Sequence, residues 1–169
     1  MTAAEIVLAL VTGQRLGELI LAARNTRRLL ARGAMESGRA HYPYMVALHA
    51  AWLVGLWVLA RHRPIDPVCL GLFVVLQAAR IWVVASLGDR WTTRIITLPD
   101  SPLIRRGPYR FLAHPNYVVV AGEIALLPLA FGLTGFALLF SALNAVMLRV
   151  RIGAEALALK RSQSQEQGA

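Results

Sequence analysis

The sequence predicts an all-α fold, a polytopic membrane bundle of about five transmembrane helices with a cytoplasmic loop and a C-terminal helix. Hydrophobic residues make up 57% of the chain, charged residues only 16%, and the mean hydropathy is +0.54. The apolar residues fall in long blocks, as expected of helices that cross a bilayer. Basic residues stand between these blocks or at their ends, where lipid headgroups lie. We therefore expect an integral membrane protein.

Five apolar blocks predict the helices. The expected spans are residues 3–23, continuing as a basic helix towards residue 30, and then 44–60, 68–87, 117–131 and 134–148. The last two are short for a crossing, which takes about 20 residues, and the uncharged link at 132–135 predicts a tight hairpin. Residues 149–159 continue the fifth span as the C-terminal helix. In the loop before the fourth span, residues 93–98 favour an extended segment and 99–102 a turn.

The length of 169 residues favours one domain. We assign residues 1–161 to a single integral membrane domain. Residues 162–169 are polar and are predicted to be a disordered tail.

The distribution of lysine and arginine predicts the orientation. Basic residues are concentrated in the first-to-second connection, the third-to-fourth connection and the tail, namely Arg24, Arg27, Arg28, Arg32, Arg39, Arg90, Arg94, Arg105, Arg106, Arg110, Arg149, Arg151, Lys160 and Arg161. The opposite side carries Arg61 and Arg63. Because cytoplasmic loops are rich in basic residues, we expect the amino terminus outside and residues 107–117 facing the cytoplasm.

The formal charge of +9 does not point to nucleic acid, since no basic stripe interleaved with exposed aromatic residues is present. The expected partners are membrane lipids and a lipid-like small molecule, and the oligomeric state stays open. One cysteine, Cys69, permits no internal disulfide, and the four histidines show no metal-ligand spacing. We therefore expect no metal.

Several polar residues lie inside the predicted spans, where facing lipid would be costly. They are Gln14, Arg15, Glu18, His49, Gln77, Arg80, Glu123 and Asn144. Arg15 and Glu18 share a helix face and are expected to pair, and Glu123 is expected to meet Arg80 or Arg15. We expect Glu18 and Glu123 to line a cavity and His49 to be packed. For Gln14, Gln77 and Asn144, simple contacts between helices are an equal alternative.

Residues 107–117, GPYRFLAHPNY, combine rigid prolines with many hydrogen-bonding side chains in a short segment. Gly107 and Pro108 favour a turn, and Pro115 suits the first turn of the fourth helix. His114 then lies at a helix amino terminus, where free N–H groups and the positive dipole end attract a carboxylate. Tyr109 and Tyr117 can cover an aromatic ring or a sulfonium ion. This pattern indicates a small-molecule site at the membrane surface.

The segment resembles the Gly-Pro-Tyr-Arg…Arg-His-Pro-x-Tyr signature of the isoprenylcysteine carboxyl methyltransferase family, integral membrane enzymes that use S-adenosylmethionine. Residues 151–155, RIGAE, are similar to the family's Arg-Ile-x-x-Glu-Glu. In the amino-terminal half, Arg24-Asn25 and His41-Tyr42-Pro43 resemble a bacterial branch associated with methylation of alkylpyrones and alkylresorcinols. The specific match covers roughly residues 104–159.

Three departures from the family pattern concern the acceptor. Ala113 stands where the family usually has arginine, and Ala156 where it usually has a second glutamate. The common Phe-Gly-x-x-Tyr tail is absent. These positions are associated with the reacting end of the substrate, so the resemblance leaves open whether the acceptor is an isoprenylcysteine carboxylate.

The resemblance implies a set of site residues. It implies cofactor contacts from Tyr109, Leu112, His114, Pro115, Tyr117 and Glu155. We assign catalytic roles to Glu155, Arg151 and Glu123. A phenol or enol acceptor is helped by a base, and Glu123, Glu155 or His114 could serve if within reach. By the same resemblance, Arg110, Arg149 and Arg151 could hold the cofactor carboxylate or orient an anionic acceptor. For each arginine the plainer alternative is contact with lipid phosphates, and for Arg151 an ion pair with Glu155 is an equal alternative.

Three functions stay open on the sequence. The favoured one is an S-adenosylmethionine-dependent membrane O-methyltransferase that acts on a prenyl-cysteine carboxylate or an alkylpyrone or alkylresorcinol hydroxyl. The second is a related enzyme, either a phospholipid N-methyltransferase or a nicotinamide-dependent lipid reductase. The third is a non-catalytic scaffold with a vestigial pocket. Ala113 and Ala156 motivate this alternative, because they replace charged residues that are usual in the family.

Overall fold

The structure is a computed structural model that describes residues 1–98 and 104–166, with side chains described as far as residue 158. Over these residues the chain forms five helices, which are α1 (Ala3–Ala31), α2 (Tyr42–Leu59), α3 (Pro67–Leu87), α4 (Pro115–Ala130) and α5 (Thr134–Glu166). Two short strands, β1 (Met35–Ser37) and β2 (Ile95–Thr97), lie in the connections. Short 3₁₀ helices cover Arg39–His41, Gly88–Arg90 and Gly107–Arg110.

The predicted helical membrane bundle is confirmed. Within the described residues, α1, α2, α3 and α5 are long and apolar enough to cross a membrane, and α4 is a shorter apolar helix. The fifth span is longer than predicted, because α5 continues without a break through the predicted C-terminal helix. It remains helical to Glu166, beyond the predicted start of the tail at residue 162. Residues 167–169 and the predicted turn at 99–102 lie outside the described residues.

The helix ends follow from local chemistry. Thr2 and Glu5 form a reciprocal capping box at the start of α1, and Asp66 accepts a 2.7 Å hydrogen bond from the Cys69 backbone N–H at the start of α3. At the other end of α4, Gly132 adopts a φ of 67°, and its N–H donates to the Leu129 carbonyl. This left-handed cap turns the chain directly into α5 and confirms the predicted hairpin.

The helices α3, α4 and α5 pack side by side, with α4 in the middle. Gly122 permits the close approach of α4 to α3, since a Cβ at this position would lie 2.6 Å from Leu76 Cδ1. A cluster of large apolar side chains fills the bundle near the start of α1 and the α4–α5 turn. Its members include Leu8, Trp52, Leu56, Phe73, Leu127 and Phe131.

The opposite end of the bundle, formed by residues 32–41, 88–98 and 104–114, is called the basic end below. Here β1 pairs with β2 in antiparallel register, with Met35 opposite Thr97. The extended segment at 93–98 was predicted, whereas β1 was not. Glu36 reinforces the pair by accepting from Arg39 at 2.9 Å and from Arg94 at 2.8 Å. The sheet thereby joins two connections that are far apart in sequence.

Candidate active site

The Gly-Pro-Tyr turn rests on the end of α3. Gly107 has a φ of 59°, and a Cβ there would collide with Ser86 Oγ. Arg106 Nε donates a 2.8 Å hydrogen bond to the Ser86 carbonyl oxygen, which holds the turn in place. Pro108 is buried, and Tyr109 is partly buried near α5. Burial raises the pKa of Tyr109 to about 12, and the nearby Glu155 carboxylate adds to the effect.

Three of the predicted cofactor residues meet where α4 begins. The rings of His114 and Tyr117 stack with their centroids 5.1 Å apart and their planes 11° apart. Tyr117 donates a 3.0 Å hydrogen bond from its hydroxyl to Glu155 Oε2. His114 Nδ1 lies 3.5 Å from the same oxygen. All three side chains remain partly exposed, so a ligand can reach them.

Arg151, one turn before Glu155 on α5, points into the bundle and is only 8% exposed. Its Nη1 donates to the Thr93 carbonyl oxygen at 3.0 Å and contacts Met45 Sδ at 2.6 Å. Its Nε donates to the Tyr117 hydroxyl at 3.4 Å. Within the described part of the chain, no carboxylate forms an ion pair with it, so the alternative of an ion pair with Glu155 is wrong. A buried cation with neutral partners favours an anionic group beside it.

A cavity of about 310 Å³ extends from this cluster into the bundle. Tyr117 and Arg151 line it near the basic end, and apolar side chains of α1, α2 and α4 line much of the remainder, among them Leu19, Leu53 and Val120. Small-molecule sites have volumes of roughly 300–1,000 Å³ and are mostly apolar with a few polar groups. The cavity therefore has the size and lining of a small-molecule site.

The deeper wall of the cavity carries a buried charge cluster. Glu18 pairs with Arg15 at 2.9 Å and with Arg80 at 2.5 Å, which confirms the predicted Arg15–Glu18 pair. Glu123 pairs with both candidates, Arg15 at 2.8 Å and Arg80 at 3.0 Å. Gln77 Nε2 donates a further 2.8 Å hydrogen bond to Glu123. The cluster of two arginines and two glutamates is thus balanced in charge.

Glu123 lies six residues after Tyr117 on α4, which places it about 9 Å deeper along the helix axis. Its carboxylate is engaged by two arginines and Gln77. This geometry makes it a counter-ion of the arginines, and its role as a base stays a prediction.

The remaining predicted residues are placed as follows. Pro115 is buried at the first position of α4. The Leu112 side chain is exposed, while its backbone N–H donates to the Pro108 carbonyl oxygen at 3.1 Å. Arg110 and Arg149 are exposed, and His49 is packed against the Met45 carbonyl oxygen at 2.8 Å. Over the described residues, no three His, Cys, Asp or Glu side chains form a group that could hold a metal ion.

Some site residues were not predicted. Thr93 and Met45 hold Arg151, and Thr93 Oγ1 lies 3.1 Å from the Tyr42 hydroxyl. Trp91 lines the cavity, and its carbonyl oxygen accepts a 2.9 Å hydrogen bond from Asn25 on α1. The resemblance at Arg24-Asn25 and His41-Tyr42-Pro43 was the available signal for this half of the site.

Comparison with known proteins agrees with the family resemblance of the sequence. The model of the isoprenylcysteine carboxyl methyltransferase (ICMT) family matches residues 69–161. "Uncharacterized protein YpbQ" of Bacillus subtilis is 38% identical over 160 residues, which cover 92% of this chain and 95% of the relative. An "Uncharacterized protein" of Haemophilus influenzae is 24% identical over 117 residues, covering 66% of this chain and 68% of the relative. No solved structure matches the chain significantly. The chain belongs to the isoprenylcysteine carboxyl methyltransferase family, and with its membrane-spanning helices this membership supports a membrane methyltransferase in general.

Proposed function

We propose that the protein is an S-adenosylmethionine-dependent O-methyltransferase of the membrane that acts on a lipid-like acceptor. One observation carries the proposal. Tyr117 and Arg151 line a cavity that runs between the helices, and His114 and Glu155 contact Tyr117 beside it. Such a site is open to water at one end and surrounded by membrane helices at the other. It suits a water-soluble methyl donor together with an amphiphilic acceptor.

The residues present fit the methyl donor. When bound, S-adenosylmethionine supplies a methyl group that is already activated on a sulfonium sulfur. Glu155 offers a carboxylate to hydroxyl or ammonium donors, and the stacked His114 and Tyr117 rings offer a flat aromatic surface. α4 begins at Pro115 without a side-chain cap, so the positive end of the helix dipole favours a carboxylate there. We place Tyr109 and the Leu112 backbone beside the donor as well. Tyr109 is a neutral phenol there, because its pKa is raised to about 12.

Positioning is the main contribution required of the protein. Holding two reactants in line can lower a barrier by roughly 7–11 kcal/mol. Arg151 is placed to hold an ionised acceptor oxygen, either a carboxylate or a hydroxyl that has lost its proton, beside the methyl donor. A hydroxyl acceptor must also lose a proton. Glu155 and His114, 3.5 Å apart, can accept and hold that proton, whereas a carboxylate acceptor needs no base.

The acceptor we favour is the hydroxyl of an alkylpyrone or alkylresorcinol rather than a prenyl-cysteine carboxylate. Ala113 and Ala156 are both exposed and supply neither of the charges usual in the family. Arg151, buried and without a carboxylate partner in the described part of the site, would stabilise that hydroxyl oxygen once the proton is removed. We propose that the basic end faces the cytoplasm of a bacterial inner membrane, with the amino terminus outside.

Calorimetric titration with S-adenosylhomocysteine in detergent tests the proposal. We expect wild type to bind and His114→Ala to lose at least tenfold in affinity. His62→Ala, which removes an exposed histidine at the opposite end of the bundle, serves as the control and should bind like wild type. Absence of binding to wild type would refute the methyltransferase. A parallel titration with reduced nicotinamide dinucleotide would then separate the reductase from the scaffold.

A further inference from the structure

The cavity wall contains polar atoms that the protein itself does not satisfy. Among the described residues, four buried side-chain atoms lack a hydrogen-bond partner, namely Trp91 Nε1, Asn116 Oδ1, Asn144 Oδ1 and Gln77 Oε1. The first three belong to residues that line the cavity. Buried polar atoms in folded proteins are nearly always hydrogen-bonded. Their concentration around one cavity therefore indicates a ligand that supplies the missing partners.

Trp91 and Asn144 are the most deeply buried of these residues, each only 2% exposed. They contact the cavity at different depths. Trp91 belongs to the basic end, and Asn25 holds its backbone from α1. Asn144 lies seven residues before Arg151 on α5, which places it about 10 Å deeper along the helix axis. A ligand that satisfies both residues must carry two polar groups that are separated in space.

The charge of the deep wall restricts the ligand further. Arg15 and Arg80 are already neutralised by Glu18 and Glu123, and each carboxylate contacts both arginines. A negatively charged group at this depth would find no unpaired cation among these residues. The unsatisfied atoms, an indole N–H and an amide oxygen, are instead neutral hydrogen-bonding groups.

We propose that Trp91 and Asn144 bind the head of the methyl acceptor through hydrogen bonds and so determine its specificity. This inference rests on the proposed function and adds the residues that recognise the acceptor. The acceptor has a neutral head with two separated oxygen functions, one that accepts from Trp91 Nε1 and one hydroxyl that donates to Asn144 Oδ1. Its apolar chain occupies the remaining lining.

Binding of two matched probes tests the proposal. Pentadecylresorcinol carries two ring hydroxyls, and pentadecylphenol lacks one of them. Both would be titrated by calorimetry into protein in lipid nanodiscs, with and without S-adenosylhomocysteine. We expect wild type to bind the resorcinol about tenfold more tightly, the effect of roughly one hydrogen bond. Asn144→Leu should bind the two probes equally, and Trp91→Phe should lose about tenfold in affinity for the resorcinol.

Two control variants remove similar groups outside the cavity lining. Ser141→Ala changes a polar residue of α5, and Trp82→Phe an exposed indole of α3, and both should bind the probes like wild type. Unchanged affinity for S-adenosylhomocysteine shows that a variant is folded. Should Asn144→Leu fail to fold, Trp91→Phe still tests the proposal, because phenylalanine keeps an aromatic ring and removes the N–H.

The outcomes separate the two proposals. Equal binding of both probes by wild type, or full resorcinol affinity in Asn144→Leu and Trp91→Phe, would overturn this inference, since water would then satisfy the two atoms. Failure of wild type to bind either probe would also overturn it. Each of these results is compatible with tight binding of S-adenosylhomocysteine, whereas loss of that binding would count against the methyltransferase itself.

Discussion

The Tyr117 hydroxyl donates a 3.0 Å hydrogen bond to Glu155 Oε2 and so connects the first turn of α4 with the continuation of α5 beyond its apolar part. The same hydroxyl accepts a 3.4 Å hydrogen bond from Arg151 Nε. Tyr117 thus orients both the Glu155 carboxylate and the Arg151 guanidinium. It also stacks on His114, so one side chain contacts three of the predicted functional residues.

Tyr117→Phe is expected to weaken binding of S-adenosylhomocysteine roughly fivefold, because it removes a hydrogen bond of about 1 kcal/mol to Glu155. The ring still stacks on His114, so the melting temperature should change little. Tyr44→Phe is the matched control, since Tyr44 is 70% exposed on α2. Equal affinities of the two variants, measured by calorimetry, would show that the Tyr117–Glu155 hydrogen bond does not organise the site.

Arg151→Met is expected to lower the rate of methyl transfer at least tenfold, because the acceptor oxygen loses the buried cation that holds and orients its ionised form. Stability should change little, because the guanidinium is buried without a carboxylate partner and its removal relieves a desolvation cost. Arg149→Met, an exposed position on the same helix, should keep the wild-type rate. Rate assays and thermal melts check both parts. A large loss of stability with little change in rate would identify Arg151 as structural.

Arg80→Met is expected to destabilise the bundle by about 3 kcal/mol, a decrease of roughly 6–12 °C in melting temperature. The substitution leaves the buried Glu18 and Glu123 carboxylates with fewer partners. Adding Glu123→Gln should recover part of the loss, because it removes one of those charges. Arg63→Met, at an exposed position, is the control. Melting curves in detergent provide the measurement. Equal melting temperatures of Arg80→Met and Arg63→Met would show that the charge cluster does not stabilise the bundle.

Gly107→Ala is expected to destabilise the protein by about 2 kcal/mol or more. The residue has a φ of 59°, which costs other residues roughly 1–2 kcal/mol, and its Cβ would collide with Ser86 Oγ. Gly13→Ala should have the opposite sign, because Gly13 lies within α1 with nothing within 4 Å of an added Cβ. Thermal melts of both variants provide the comparison. Equal effects would mean that the turn does not need glycine.

Tyr109 gives a prediction about pH. Its pKa is raised to about 12, chiefly by burial, so its neutral form is favoured in the folded protein. Its contribution to stability is complete below about pH 10, the ordinary pKa of tyrosine, and is lost as the pH rises through about 12. An absorbance titration of tyrosinate should therefore lose its step near pH 12 in Tyr109→Phe. Loss of a step near pH 10 instead would place the phenol in solvent.

The helices were predictable because apolar blocks of sufficient length have few alternatives. The pair of Arg15 and Glu18 followed from their spacing of three residues. The strand β1 was not predictable, since three residues give no alternating pattern and their partner lies about 60 residues later. The direction of Arg151 was also not predictable. Its partners are Met45 on α2 and Thr93 in the connection after α3, which only the folded chain brings together.

Methyl transfer itself is the decisive measurement. Wild type and Glu155→Gln would be reconstituted in proteoliposomes that contain pentadecylresorcinol, with S-adenosylmethionine labelled in its methyl group added to the water phase. We predict label in the organic extract with wild type and at least a tenfold lower rate with Glu155→Gln. Wild type that binds the donor but transfers no label, or a Glu155→Gln variant as active as wild type, would contradict an active site at the meeting point of α4 and α5.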